Sequence, residues 1–351
     1  MKNLIRIILG ILLIAILIPG FLIIYATIDD YKPDDIETVF KSDNPDTYDF
    51  GNEIDIIIWN IGYCGLSEDM DFFYDGGKQV RTSKENVLEN LENVIKKLKS
   101  IDTLEFLLLQ EVDKNSKRSY YINEYDSINS CLKEYWSFFG KNYDVFFVPL
   151  PPNEPMGSVE SGLQTLSRYV PSGSERWNFP GKFGWPKRLF MLDRCFLVNR
   201  YPLGTGKELL IVNTHNSAYD GGVLKKHEME HLRKWLLSEY SNGNYIIVGG
   251  DWNQSPPSFK PEYEENVFDS VDFSLIPADY LPPDWNWVFD PKFPTNRRLV
   301  KAYIKGETPT TIIDFYLISP NIEMLEVETI NLDFRNSDHQ PVKAKFKLKN
   351  L

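Results

Sequence analysis

Polar residues that can bind a metal ion or transfer a proton follow the apolar segments of this sequence at several places. Carboxylates and amides are the ligands that hard divalent cations prefer, and an imidazole, which titrates near neutral pH, can act as a base. Hydrolysis of a phosphoric ester uses both kinds of group, together with donors that stabilise charge on the phosphoryl oxygens. The residues at these segment ends are Asn60, Gln110-Glu111, Asn213-Thr214-His215, Gly250-Asp251-Trp252-Asn253 and Ser337-Asp338-His339.

Each of these residues has an ordinary structural explanation when it is considered alone. Asn60 can cap a turn, Glu111 can begin a solvated loop and His215 can be a hydrogen-bonded core histidine. Asp251 and Asp338 can be turn or cap residues in the same way. Because strand ends converge at one edge of a layered α/β fold, however, all of them together are expected to meet in one cleft.

The segments that would position these residues are short, apolar and rich in β-branched residues, which predicts strands. Most are too uniformly apolar to have one solvated face, which favours a layered sandwich. Two amphipathic stretches, from Ser83 to about Leu98 and from Leu224 to about Tyr240, predict helices between them. The predicted strands are Ile54–Trp59, Phe106–Leu109, Val145–Val148, Phe190–Val198, Leu209–Val212, Tyr245–Val248, Ile312–Ile318 and Val342–Phe346.

An apolar run near the N-terminus, Ile7–Tyr25, has the length of a membrane-spanning helix. Lys2 and Arg6 precede it and acidic residues follow it, so the positive-inside rule predicts a single-pass cell-membrane protein whose remainder is extracytoplasmic. A cleaved signal peptide is the alternative, although no A-x-A-like site follows the run. The predicted organisation is an anchor over residues 1–26, a solvated linker over 27–51 and one catalytic domain over 52–351.

Composition excludes some classes of protein. The chain has 351 residues, 42% of them hydrophobic, which is typical of a globular protein, and a formal net charge of −12. It lacks the broad basic surface of a non-specific nucleic-acid binder, although a local basic rim remains compatible with a nuclease. Cys64, Cys131 and Cys195 show no metal or redox spacing, so we expect structural cysteines, with one disulfide as the alternative.

In order along the chain, the segments IIIWNIG, LLLQEVD, GLQTLSRY, LLIVNTHN, VGGDWNQSP, IIDFYLIS and NSDHQPV resemble the successive motifs of the endonuclease/exonuclease/phosphatase superfamily. This superfamily includes DNase I, abasic-site endonucleases and neutral sphingomyelinases, and the resemblance covers roughly residues 52 to 349. It implies a DNase I-like four-layer α/β sandwich, in which two packed mixed β-sheets are flanked by helices, here after an N-terminal transmembrane helix. It also implies a metal-dependent phosphoric ester hydrolase.

The resemblance assigns a role to each matching residue. His339 is the expected general base, and Asp314 would accept its other N–H. Asp251 would orient the attacking water or touch a second metal, while Asn253 and His215 would donate to the phosphate. The expected metal-site residues are Glu111, Asn60 and Asp338, and their oxygen atoms suit Mg²⁺, with Mn²⁺ or Ca²⁺ as substitutes.

Substrate choice depends on loops that these motifs do not cover. The aromatic and basic insertion between Arg176 and Arg188 supplies the substrate-loop candidates Trp177, Phe179, Lys182 and Trp185; its alternative role is to cover an apolar edge. The expected partners are the membrane, through the N-terminal helix, and a phosphodiester substrate, which is a nucleic acid, a nucleotide or a phospholipid head group; no protein partner is inferred. A nuclease or phosphodiesterase is the first hypothesis. A sphingomyelinase-type enzyme and a non-catalytic binding or scaffold protein remain open.

Overall fold

The computed structural model describes residues 2–51, 53–218, 222–260 and 275–349; the predicted boundary residues Met1, Asn52 and Leu351 lie outside these ranges. Its helices are α1 (Lys2–Asp29), α2 (Lys84–Lys99), α3 (Glu124–Cys131) and α4 (Val223–Ser241). Its strands are β1 (Ile36–Lys41), β2 (Ile54–Asn60), β3 (Phe106–Asp113), β4 (Trp136–Val148), β5 (Gly157–Ser167), β6 (Gly173–Asn178), β7 (Cys195–Pro202), β8 (Glu208–His215), β9 (Tyr245–Asp251), β10 (Asn286–Val288), β11 (Asn296–Arg297), β12 (Thr310–Thr311), β13 (Asp314–Ile318), β14 (Ile322–Thr329) and β15 (Val342–Leu348).

Two large mixed sheets contain most of these strands. One sheet has the order β14-β15-β2-β3-β5-β4 and the other has the order β1-β6-β7-β8-β9-β13-β10. The pairs β2–β3 and β8–β9 are parallel, whereas the remaining neighbours within the two sheets run antiparallel. The carboxyl ends of each parallel pair therefore lie at the same edge of their sheet.

The two sheets pack face to face across an apolar core. Ile58 of β2 and Leu108 of β3 lie in the same buried cluster as Ile211 of β8 and Ile247 of β9. The side chain of Tyr316, on β13, crosses this core, and its hydroxyl lies within hydrogen-bond distance of the Val342 carbonyl (2.7 Å) and the Ile56 carbonyl (3.1 Å) of the other sheet. Strands buried on both faces explain why their sequences are almost continuously apolar.

Helices cover the outer faces of both sheets. The apolar face of α2 packs with β2 and β3, and Ser83 caps the helix by accepting from the Asn86 N–H. Residues of α4, including Leu232 and Leu236, pack on β7, β8 and β9 of the other sheet. The predicted four-layer α/β sandwich is therefore confirmed.

Most predicted strands are present and extend further than the apolar runs that identified them. There are two exceptions. The predicted strand Ile312–Ile318 begins only at Asp314, and the first part of the predicted strand Phe190–Val198 is wrong. A short 3-10 helix, Lys187–Phe190, occupies its start, and β7 begins only at Cys195. Apolar content alone does not distinguish a strand from an apolar turn that packs against one.

The segment predicted as a solvated linker, residues 27–51, differs from that expectation. Residues 36–41 form β1, which pairs with β6 at the edge of the larger sheet. Phe50 is only 6% exposed and packs against Phe106, Tyr169 and Tyr201. An edge strand alternates exposed and half-buried residues, so it resembles a polar linker in sequence.

Of the helices in the described residues, α1 is the one long and apolar enough to cross a membrane. Its apolar side chains are almost all exposed, with Ala26 the buried exception. This assignment rests on the length and composition of the helix alone, and a signal sequence has the same properties. The three cysteines are free, and Cys64 and Cys195 are buried, as expected of structural cysteines.

Replacing Phe50 by alanine tests whether residues 27–51 belong to the folded domain. We expect Phe50→Ala to lower the free energy of unfolding by about 3–5 kcal/mol, because it leaves a cavity in an aromatic cluster. The matched control, Phe293→Ala, removes a side chain that is 41% exposed and should change stability by no more than about 0.5 kcal/mol. Thermal or chemical unfolding measures the stability of both variants. If Phe50→Ala costs no more stability than Phe293→Ala, residues 27–51 are a linker and not part of the folded domain.

Candidate active site

The strand ends of both sheets meet at one edge of the sandwich. Asn60 ends β2 and Glu111 lies near the end of the parallel strand β3. His215 and Asp251 are register partners at the ends of β8 and β9. Because β13 runs antiparallel to β9, it begins at this edge, where Asp314 pairs in register with Asp251.

His339 and Asp314 form a buried pair. His339 Nδ1 lies 2.8 Å from Asp314 Oδ2. Asp314 is held from the other side, since its backbone N–H donates to the Thr295 hydroxyl over 3.1 Å. A carboxylate on one imidazole nitrogen fixes the ring and its tautomer, which leaves Nε2 as the nitrogen available for proton transfer.

Asp251 is the hub of the site. Its Oδ2 accepts a hydrogen bond from Asn60 Nδ2 over 3.0 Å, and lies 3.3 Å from His215 Nε2 and 3.7 Å from His339 Nε2. Its Oδ1 accepts from the Asn253 backbone N–H over 2.9 Å. A single carboxylate therefore orders four of the predicted site residues.

The backbone around Asp251 needs a glycine before it. Gly250 has a φ of 148°, and a Cβ atom there would overlap the carbonyl oxygen of Thr214 on the neighbouring strand. Only glycine allows β8 and β9 to approach this closely. In the Gly250-Asp251 pair, sterics therefore require the glycine, and the contacts of the carboxylate require the aspartate.

Glu111 is directed into the cleft by a local irregularity of β3. The pairing of β3 with β5 shifts register between Leu109 and Val112, and Glu111 has a left-handed φ of 55°. Such bulges re-aim side chains near active sites. The carboxylate lies 3.4 Å from Asn60 Nδ2 and 4.0 Å from the guanidinium of Arg118.

Asp338 brings a further buried carboxyl to the same cleft. Ser337 lies beside it, with its hydroxyl donating to the Asn60 carbonyl over 2.8 Å. Burial raises the pKa of the Asp338 carboxyl to about 7, and the negative charge of Glu111 adds to this effect. A cation between these carboxyls would offset the cost of burying them.

The two histidines of the site have opposite electrostatic environments. Burial opposes protonation of His339, but the carboxylates of Asp314, Asp338 and Asp251 outweigh it and raise the pKa of His339 well above its usual value. Burial lowers the pKa of His215 well below its usual value, helped by the positive charges of Arg194 and His339. His215 is therefore a neutral donor towards Asp251.

Above these residues lies a cleft of about 830 Å³. Glu111, His215, Asp251, Asn253, Asp338 and His339 all line it, and Asn60 and Asp314 lie directly behind them. The structure thus brings together all eight of the predicted catalytic and metal-site residues. Several walls of the cleft are apolar or aromatic, including Tyr63, Tyr74, Tyr143, Phe190 and Leu299.

The predicted substrate-loop residues do not line this cleft. Trp177 stacks on Phe196 with ring centroids 5.9 Å apart, and Phe179 is buried in the same core cluster. Lys182 pairs with Asp193 over 2.9 Å, and Trp185 is exposed near the end of α1. For Trp177 and Phe179, the alternative role of covering an apolar edge is the one that fits.

Two site residues had no prediction from the sequence. Asn296 Nδ2 lies 3.0 Å from His339 Nε2. Asn296 belongs to the two-residue strand β11, which is too short to leave a periodic pattern in the sequence. Arg118 is buried, makes a two-pronged pair with Asp113 and stacks over the Tyr63 ring at 3.8 Å. Its contacts come from the folded structure, and no motif in the sequence pointed to it.

Among the described residues, Asp251, Asp314 and His339 form a group whose potential ligand atoms lie within 4.8 Å of one another. The short contact between His339 and Asp314 makes these two a hydrogen-bonded pair, so they are poor candidates for a shared metal. Glu111 and Asp338 both line the cleft and offer oxygen ligands, which suits a hard cation.

Comparison with known proteins finds the same fold in solved structures. No protein-family model matches the sequence, and no curated protein matches it. The endonuclease/exonuclease/phosphatase of Beutenbergia cavernae is similar, with a TM-score of 0.57 and 15% identity, over 85% of this chain and 72% of that one. ANGEL2, a 2',3'-cyclic phosphatase solved with adenosine-2',3'-vanadate, is similar with a TM-score of 0.55 and 16% identity, over 91% and 99% of the two chains.

A third similar structure is D. rerio TDP2 with a single-strand DNA product, which has a TM-score of 0.51 and 14% identity over 84% of this chain and 99% of that one. At these identities the structural likeness establishes the fold alone. The motifs at the strand ends are a separate observation, made on the sequence. The chain therefore has the fold of the endonuclease/exonuclease/phosphatase superfamily, as its motifs predict.

Proposed function

We propose that this protein is a membrane-anchored, divalent-metal-dependent phosphodiester hydrolase, either a nuclease or a phosphodiesterase. The observation that carries the proposal is the buried His339–Asp314 pair, with His339 Nε2 only 3.7 Å from Asp251 Oδ2 in a cleft. A histidine held by a carboxylate and facing a second one has the parts needed to activate water. The similar structures with a DNA product and a nucleoside vanadate support the substrate class for the fold.

In this mechanism His339 accepts the proton of the attacking water at Nε2, for which the ring must first be neutral. The surrounding carboxylates raise the pKa of His339, and a cation held by Glu111 and Asp338 would offset their charge and favour the neutral ring. Asp314 holds Nδ1–H and stabilises the imidazolium that results. Asp251 Oδ2 lies beside Nε2 and orients the water. Because Asn296 Nδ2 also lies 3.0 Å from Nε2, a substrate or water must displace this contact before the base can act.

Donors for the phosphoryl oxygens come from His215 and Asn253. His215 is neutral, and its Nε2–H turns from Asp251 towards charge that builds up on the phosphate. Asn253 donates one amide N–H to the Asn216 carbonyl over 2.9 Å, which leaves its second N–H for a phosphoryl oxygen. Both side chains line the cleft.

Glu111 and Asp338 would hold the metal ion, for which we propose Mg²⁺, with Mn²⁺ or Ca²⁺ as substitutes. Their donors are oxygens, and burial makes the Asp338 carboxyl hard to ionise without a cation nearby. The amide oxygen of Asn60 accepts from the Gly62 N–H over 3.0 Å, and its nitrogen faces the carboxylates, so this orientation favours an orienting role over a ligand role. When bound, the metal supplies a Lewis acid for the phosphoryl group.

Replacing His339 tests the proposal. On plasmid DNA, RNA, bis-p-nitrophenyl phosphate and sphingomyelin vesicles, the protein should hydrolyse at least one substrate with Mg²⁺. His339→Ala should lower kcat by about 10²–10⁴-fold, because the general base is lost, and Asp314→Asn should lower it in the same direction. His227→Ala, on the exposed face of α4, is the matched control and should keep full activity. An active His339→Ala variant contradicts the mechanism.

Replacing Glu111 tests the metal site separately. Glu111→Gln should raise the Mg²⁺ concentration for half-maximal activity at least about tenfold, since a charged ligand becomes neutral. Glu307→Gln, at an exposed position, should leave it unchanged. Calorimetry of Mg²⁺ binding gives the readout without substrate, and His339→Ala should still bind the ion. Equal Mg²⁺ affinity in Glu111→Gln and the wild type would remove Glu111 from the site.

A sphingomyelinase-type phospholipid phosphodiesterase is the second candidate. The aromatic and apolar walls of the cleft and the apolar helix α1 favour it. Release of phosphocholine from vesicles without cleavage of DNA or RNA would select it. A non-catalytic binding protein is the remaining candidate, and metal-dependent turnover that is lost in His339→Ala eliminates it.

The proposed location is the cell membrane, with α1 as an uncleaved anchor and the catalytic domain outside the cytoplasm. We expect the full chain to stay with membranes after high-salt and alkaline washes, because burial of the apolar helix in lipid resists both. Protease added to intact cells should digest the catalytic domain. A soluble form whose N-terminus starts near residue 26 would instead indicate a cleaved signal peptide.

A further inference from the structure

The C-terminal end of α1 is docked on the catalytic domain. The rings of Tyr25 and Phe146, a residue of β4, are 4.4 Å apart. Thr27 Oγ1 accepts a hydrogen bond from Trp185 Nε1 over 3.1 Å. Asp30, just after the helix, pairs with Arg188 over 3.2 Å. These contacts fix the height of the domain relative to the helix.

The depth of this contact in a bilayer follows from the length of the apolar run. Residues 7–25 rise about 28 Å as an α-helix, which matches a hydrocarbon core of ~30 Å. The residues after Tyr25 therefore leave the hydrocarbon, and Thr27 lies less than one helical turn beyond it. A side chain hydrogen-bonded to Thr27 must lie at the level of the lipid head groups.

Trp185 is that side chain, and its chemistry suits this level. It is 60% exposed despite its size and lies in a loop, residues 181–188, which also contains Phe183. Lys187 covers the Phe183 ring at 3.9 Å. Tryptophan is enriched at membrane interfaces because its ring is apolar while its N–H is polar, and here the N–H already has a partner.

We propose that the loop of residues 181–188, with Trp185 as its main contact, lies in the head-group region of the bilayer that α1 crosses. This inference rests on the membrane anchoring proposed above. Two of the three basic side chains of the loop, Lys182 and Arg188, are paired with Asp193 and Asp30. The loop therefore binds zwitterionic lipid through its aromatic residues and does not require anionic lipid.

The placement of the loop has a consequence for the catalytic cleft. The chain continues directly from it into Phe190, Met191, Leu192 and Arg194, which line the cleft. One wall of the cleft is therefore held beside the membrane surface. Phosphoesters held at that surface reach the site without the domain having to move away from the bilayer.

The test uses the full-length protein in phosphatidylcholine vesicles that contain a lipid with a quencher near its head group. Quenching of tryptophan fluorescence is compared between the wild type and Trp185→Phe. Trp136→Phe is the matched control, since Trp136 is 52% exposed but begins β4, ten residues before Phe146 and about 30 Å away along the strand. Circular dichroism checks that all three proteins are folded.

Trp185→Phe should remove most of the quenching, whereas Trp136→Phe should retain it. The wild-type quenching should not increase when anionic lipid is added. Equal quenching in Trp185→Phe and the wild type, while the protein floats with the vesicles, overturns the proposal and leaves the anchor intact. If the protein does not float with the vesicles, the proposed membrane anchoring by α1 is wrong. Quenching that occurs only with anionic lipid contradicts a lipid contact made by the aromatic residues of the loop.

Discussion

A buried pair of amides, Gln110 and Asn213, joins the two sheets beneath the cleft. Gln110 Nε2 donates to Asn213 Oδ1 over 2.7 Å, and Asn213 Nδ2 donates in turn to the Leu109 and Gln164 carbonyls. The apolar faces of the sheets attract each other without direction, so packing alone does not fix how one sheet slides on the other. Satisfied buried hydrogen bonds are directional and fix that position.

The position of the amide pair along the strands matters for the site. Glu111 follows Gln110 directly, and His215 comes two residues after Asn213. Fixing the amides therefore fixes the distance between the carboxylate of one sheet and the imidazole of the other, 4.0 Å between His215 Nε2 and Glu111 Oε1. Apolar residues at these two positions would preserve the packing of the sheets but not this distance.

The site concentrates buried charge, which is a cost to the folded state. Asp251, Asp314, Asp338 and His339 are all almost inaccessible to solvent, and buried carboxylates are tolerated only when they are paired or hydrogen-bonded. Their partners are mostly one another and neighbouring amides. The left-handed backbone at Glu111 and Asn253 adds strain at the same place. The double layer of apolar strands supplies the stability that permits this arrangement.

The sequence by itself determined the sandwich, the apolar N-terminal helix, the two amphipathic helices α2 and α4, and the eight candidate site residues at or near the strand ends. Strands buried on both faces and amphipathic helices leave local periodic patterns, and each site residue adjoins such a strand. For residues that lie outside any periodic sequence pattern, only the tertiary structure decided which contacts they make. Asn296 reaches His339 only through folding, and β1 resembles a linker until β6 pairs with it. Trp177 and Trp185 belong to one aromatic stretch, but Trp177 packs against the core whereas Trp185 is exposed. Contacts between distant segments depend on how whole layers pack, and no short segment of sequence encodes that packing.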